Sequence, residues 1–115
     1  MNINYFFGTR IITGKNCVIN NPSYFKALGN RCLIVTGHSS AIQSGALMDV
    51  QSVLNSLNIT YDIYDKISQN PSLSSCINGG KIAHDINADF IIGIGGGSPL
   101  DASKAVSVLA TNPDI

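Results

Sequence analysis

Residues 89–104 read DFIIGIGGGSPLDASK. The first six are the most apolar stretch of the chain and read as a buried strand. Three consecutive glycines follow, and then a segment with the signals of a helix, running from Pro99 to about residue 109. A strand that passes through glycine directly into a helix start belongs to an α/β fold, and the rest of the chain can be read outward from it.

Working back towards the N-terminus, residues 72–86 carry Leu73, Ile77, Ala83 and Ile86 with Ser72 placed to cap them, although Gly79-Gly80 sits in the middle. Residues 65–71 are polar, end in Asn70-Pro71 and read as a loop. Residues 60–64 read as a strand. Ile42, Ala46, Leu47, Val50, Val53, Leu54 and Leu57 recur at spacings of three and four, the mark of an amphipathic helix, with Ser39 or Ser40 to cap it and Asn58 to end it. Residues 31–36, centred on Cys32-Leu33-Ile34-Val35, read as a strand covered on both faces. Before it, Asn21-Pro22 suits a helix start and Gly29 its stop. Residues 10–13 read as a short strand closed by Gly14. Alternating strands and helices predict one domain over residues 1–115, with an open, mainly parallel sheet and helices on both faces. The sequence finishes just after a helix with no closing element, which predicts a truncated chain.

Composition narrows the function classes. Apolar residues make up 44% of the 115, so a packed core is expected, and the formal charge is zero, so no nucleic-acid partner is expected. Charged residues reach only 12%, against about 25% in ordinary soluble domains. That shortfall predicts that part of the surface meets another domain or subunit. No apolar run approaches a membrane span and no signal peptide is evident, so a cytoplasmic protein away from membranes is expected. Cys17, Cys32 and Cys76 are odd in number and lack paired spacing, so neither a disulfide framework nor a zinc site is indicated. His38 and His84 form no metal-ligand pattern with the carboxylates.

The chemistry lies in the glycines. Gly95, Gly96 and Gly97 allow positive φ and let another group approach the backbone closely. Ser98 stands where an N-cap belongs, Pro99 at the first helical position, and Asp101 three residues past the cap, an arrangement like a capping box. Amides at a helix start, together with the positive end of its dipole, make a seat for an anion, and a pyrophosphate fits best. The loop is neither a Walker A sequence nor the usual dinucleotide fingerprint, which would need glycine in place of Ser98. Read on mechanism alone, a phosphate site and a well-capped tight turn both remain open.

The run GGGSPLDASK, with Ala105-Val106 and Asn112-Pro113 after it, closely resembles the signature of the iron-type (group III) alcohol dehydrogenases. Residues 9–15, residues 33–36, Asn70-Pro71-Ser72 and residues 88–94 resemble further family segments in order, so the likeness spans nearly the whole chain. It implies a Rossmann-like, dehydroquinate synthase-like N-terminal domain that binds NAD or NADP. The complete enzyme would move a hydride between a small alcohol and an aldehyde, and would be a homo-oligomer. The resemblance implies that Gly95, Gly96, Gly97 and Ser98 meet the cofactor pyrophosphate. It implies that Asp101 fixes the loop facing the cleft, or only complements the helix dipole, and that Lys104 is the motif lysine or a solvated one. Asn70 would reach the phosphate or ribose region, or only turn the chain before proline.

Gly37 departs from the family pattern, where aspartate often stands. Its loss removes a carboxylate that would repel a 2′-phosphate, and His38, Ser39 and Ser40 are placed to donate to one, so NADP is favoured over NAD. The family's iron or zinc ligands lie in a later helical domain, so no catalytic or metal-binding residue is assigned among these 115. The segment alone is expected to be inactive. A stand-alone nucleotide- or phosphate-binding module, a glycerol dehydrogenase-like relative and a flavodoxin-like receiver are the alternatives.

Overall fold

The computed structural model describes residues 12–37, 44–68 and 71–111. In chain order these form α1 (Pro22–Lys26), β1 (Arg31–Gly37), α2 (Ala46–Ser56), β2 (Thr60–Ile67), α3 (Leu73–Asp85), β3 (Phe90–Ile94) and α4 (Gly97–Thr111). The three strands are parallel, in the order β2-β1-β3. The step from β1 to β2 and the return across β1 to β3 run in opposite directions. Right-handed crossovers in opposite directions place their helices on opposite faces of the sheet.

The core follows from that topology. On one face Cys32 and Ile34 of β1 pack with Leu47, Val50 and Leu54 of α2 and with Ile59 and Ile94. On the other, Leu33 and Val35 pack with Cys76 and Ala83 of α3, Ala102 and Val106 of α4, and Tyr64 and Ile67 of β2. Alternate β1 side chains therefore enter two cores, and Cys32 to Val35 are all fully buried. Burying a Leu or Ile side chain this completely contributes roughly 1.5–3 kcal/mol. Both the doubly covered strand and the apolar stripe of α2 match the sequence pattern.

Several boundaries differ from the sequence reading. Residues 10 and 11 lie outside the described residues, and Ile12 and Thr13 belong to no strand. Pro22 opens α1 as expected and Asn21 is its N-cap, but no helix amide bonds the Asn21 side chain. Instead Asn21 Nδ2 donates backwards to the Cys17 carbonyl at 2.6 Å. Helix α1 ends at Ala27, short of Gly29. Gly29 has a further task, because a β-carbon there would collide with the Asp89 side chain. Asp89 Oδ2 accepts from the amides of Asn30 and Arg31 at 2.8 and 3.1 Å, tying the start of β1 to the start of β3.

Helix α2 begins at Ala46, with Gly45 as N-cap at φ 78°, and Ser44 Oγ accepts from the Ala46 amide at 3.3 Å. Ser39, Ser40 and Ile42 lie outside the described residues. Strand β2 continues to Ile67, through what the sequence suggested was loop. It is an edge strand, so Asp65 and Lys66 remain exposed enough to pair with each other at 3.6 Å while Ile67 enters the core. Strand β3 is only half-buried over Phe90 to Gly93, where a fully buried strand was expected. It too lies at an edge of the sheet, and among the described residues it pairs with β1 alone.

Ser72 caps α3 as its position suggested, accepting from the Ser75 amide at 3.1 Å. The glycine pair within α3 is where α4 comes close. A β-carbon on Gly79 would lie 2.8 Å from Val106 Cγ2, and one on Gly80 would lie 2.7 Å from Leu109 Cβ. Local helix propensity has yielded there to the packing of two helices. Helix α4 runs from Gly97 to Thr111, longer at both ends than the sequence pattern suggested. No helix among the described residues is long and apolar enough to cross a membrane.

Candidate cofactor crevice

Strand β1 leads over one face of the sheet to α2, and its neighbour β3 leads over the other face to α4. Where adjacent parallel strands send their chains to opposite faces, a crevice opens beyond their C-terminal ends, and ligands of open α/β sheets bind there. The register is explicit, with Thr36 of β1 opposite Ile94 of β3. Gly37 follows the first and Gly95 the second, so residues far apart in sequence meet at one edge.

Gly95 makes the turn from β3 into α4. Its φ is 136°, a region that side chains rarely adopt, and a β-carbon would fall 2.8 Å from Pro99 Cγ. Gly96, exposed like Gly95, differs because a β-carbon there would meet nothing within 4 Å. The turn is thus held closed by Gly95 against Pro99, and Gly96 presents open backbone to solvent.

Helix α4 starts at Gly97, which corrects the expected capping. Ser98 is the second residue of the helix, not its N-cap, and Pro99 is the third. Proline is accommodated because first-turn amides have no carbonyl partner inside the helix. Pro99 is buried and Ser98 half-buried. The Leu100 amide bonds the Gly96 carbonyl at 3.3 Å, so that donor is already occupied. The positive end of α4 points out of the C-terminal edge of the sheet.

Asp101 is likewise not part of a capping box. Its Oδ1 lies 3.8 Å from Lys104 Nζ, and both side chains are about four-fifths exposed. Lys104 also borders a groove of about 350 Å³ with Asp89, Phe90, Ile91, Ser103 and Ser107. That groove follows the outer side of β3 towards Asp89 at its N-terminal end, away from the glycines. Gly37 is half-buried at the end of β1 and pairs with Ile67 across a break in the β1–β2 register. His38, Ser39 and Asn70 lie outside the described residues.

Sequence reasoning passed over Thr36 as the end of an apolar strand. It is 2% exposed, and its Oγ1 has no hydrogen-bond partner among the described residues. Its one sequence signal is a hydroxyl directly after Leu33-Ile34-Val35 in a strand buried on both faces. Cys32, fully buried in β1, offers no chemistry. Burial pushes the Cys32 thiol up to about 12, so it stays protonated and inert. Burial also raises the Tyr64 phenol, whose hydroxyl donates to the Ser75 carbonyl at 2.8 Å. Among the described residues no group of His, Cys, Asp and Glu could hold a metal ion.

Comparison with known proteins agrees with this architecture. The sequence model of the iron-containing alcohol dehydrogenases matches residues 8–115. The long-chain primary alcohol dehydrogenase AdhA of Thermoanaerobacter ethanolicus is 40% identical over 85 residues, covering 74% of this chain and 21% of that protein. NADH-dependent butanol dehydrogenase A of Clostridium acetobutylicum is 28% identical over 107 residues, covering 93% of this chain and 28% of that one. The crystal structure of an iron-containing alcohol dehydrogenase from Thermotoga maritima superposes with a TM-score of 0.83 at 35% identity, covering 88% of this chain and 28% of that one. The chain therefore spans between a fifth and three tenths of the length of these proteins. With a family match over almost its whole length and the same sheet, the chain belongs to the iron-containing alcohol dehydrogenase family.

Proposed function

We propose that this chain is the part of an NAD(P)-dependent alcohol dehydrogenase that holds the nucleotide cofactor. The observation that carries the reading is the open backbone at Gly96, placed at the switch point and at the positive end of α4. Gly95, Gly96, Gly97 and Ser98 seat the pyrophosphate. Gly37, His38 and Ser39 border the adenosine ribose, and Asn70 reaches the phosphate or ribose region. Asp101 fixes the loop that faces the cleft and Lys104, paired with it on the exposed side of α4, is the motif lysine. The bound nicotinamide supplies hydride transfer between an alcohol carbon and an aldehyde. The chain's own task is to bind and orient it. On this reading a divalent metal would be held outside the described residues, among which no group of His, Cys, Asp and Glu could hold one.

Gly37 supports NADP over NAD, since no carboxylate follows Thr36 to repel a 2′-phosphate. The scarcity of charge supports a protein that buries part of this surface against another domain or a second subunit. The test is calorimetric titration with NADPH, NADH and inorganic pyrophosphate, on wild type and on Gly96→Asp. A β-carbon at Gly96 meets no protein atom within 4 Å, so Gly96→Asp should leave folding intact while its carboxylate repels the diphosphate. NADPH binding by wild type that is lost in Gly96→Asp supports the reading. Equal binding by both variants, or no binding by wild type, overturns it.

A further inference from the structure

One polar atom beside the crevice has no role in the fold. Thr36 is 2% exposed, and its Oγ1 meets neither donor nor acceptor among the described residues. A buried hydroxyl without a partner destabilises a protein relative to an apolar group of the same shape. Valine has that shape, and the three residues before Thr36 are already apolar. The placement is informative, because Thr36 is the penultimate residue of the central strand and stands opposite Ile94, the residue before Gly95. It shares the α2 face of the sheet with Cys32, Ile34 and Ile94.

We propose that Thr36 is a cofactor-positioning residue. Its Oγ1 takes its hydrogen-bond partner from the dinucleotide complex, either a cofactor oxygen or one water held at the crevice floor. A hydroxyl suits this position because it both donates to a phosphate or ribose oxygen and accepts from water. The inference rests on the crevice being a dinucleotide site, and it adds a residue that fixes how deeply the cofactor sits.

The experiment titrates NADPH and NADH into wild type, Thr36→Val and Thr36→Ser, and records thermal unfolding of each without cofactor. Thr36→Val should lose about tenfold in affinity, the usual scale for one buried hydrogen bond. Its cofactor-free Tm should be equal to that of wild type or higher. Thr36→Ser, which keeps the hydroxyl, should bind closer to wild type than Thr36→Val does. These signs oppose each other only if the partner arrives with the ligand. Wild-type affinity in Thr36→Val makes the residue a packing group and overturns the inference, while the crevice reading stands. A Thr36→Val that loses cofactor-free Tm along with affinity places the hydroxyl in the fold itself, and also overturns it. If wild type binds neither nucleotide, the crevice reading fails and this one fails with it.

Discussion

A β-carbon on Gly79 of α3 would come within 2.8 Å of Val106 Cγ2 on α4, with the Tyr64 ring 3.1 Å away on another side. Val106 is fully buried, so it has no room to retreat. Gly79→Ala would gain about 1 kcal/mol in helix propensity, but overpacking typically costs 1–3 kcal/mol. The clash involves a packed methyl and a ring, so overpacking should win. We expect a net loss of about 1 kcal/mol, a fall in Tm of about 4–8 °C for a domain of this size. Val106→Ala in the same chain should recover much of that loss, and a double-mutant cycle followed by thermal unfolding measures the coupling.

The two exposed glycines after β3 should behave differently. Gly95→Ala forces a side chain into φ 136° and against Pro99, so it should destabilise the fold by about 1 kcal/mol or more. Gly96→Ala has open space and should leave Tm within about 2 °C. It should nevertheless weaken NADPH, because the added methyl lies in the proposed seat of the diphosphate. Urea unfolding together with calorimetry separates the two outcomes.

Gly37→Asp restores a carboxylate at the end of β1. NADPH affinity should fall about tenfold or more, and NADH should lose far less or gain, since only the former carries a 2′-phosphate. Parallel titrations of both nucleotides read the ratio. An unchanged ratio would remove Gly37 from the specificity argument.

Alkaline pH should loosen the fold through Cys32. Its thiol rises from an ordinary 9.0 to about 12 in the folded chain. Between those values the unfolded chain releases a proton that the folded chain keeps, so stability is intact below pH 9 and declines as pH rises towards 12. The slope for one such group approaches 1.4 kcal/mol per pH unit. The raised Tyr64 phenol adds in the same direction. Chemical unfolding at pH 8 and pH 10 should show the fall, and Cys32→Val should flatten it. Thiol labelling should reach the half-buried Cys17 before Cys32 or Cys76.

If this chain is, as proposed, the part that holds the cofactor, the 115 residues by themselves should turn over no alcohol. A coupled NADPH absorbance assay on mass-verified protein checks this, and robust turnover would contradict the division of labour proposed above.

The alternating architecture was readable because burial on both faces of β1 demands the unbroken run Cys32-Leu33-Ile34-Val35, and because α2 repeats its apolar residues at three and four. What sequence could not give was the consequence of neighbours. Asp65 and Lys66 looked like loop, yet an edge strand can place them in solvent. Phe90-Ile91-Ile92 looked like a buried strand because apolarity reports an affinity for burial, not whether cover exists on both sides. Gly79-Gly80 looked like a weak middle for the helix, whereas its reason is the close approach of α4. At the crevice, the glycines suggested either an anion seat or a tight turn, and the start of α4 two residues before Pro99 shifts Ser98 from cap to first turn. Thr36 was invisible as a candidate because an orphaned hydroxyl is a property of three-dimensional surroundings, not of a motif.

Among the described residues no strand covers the outer side of β3, and that bears on handling the protein. Nothing within residues 90–94 carries a charge or a proline, the devices with which natural edges discourage a second strand from adding. Two molecules that meet along this side can zip backbone to backbone, with no net charge to hold them apart. Concentrated solutions of the isolated chain should therefore grow turbid or show rising scattering with time, and a single lysine introduced along that margin should delay it.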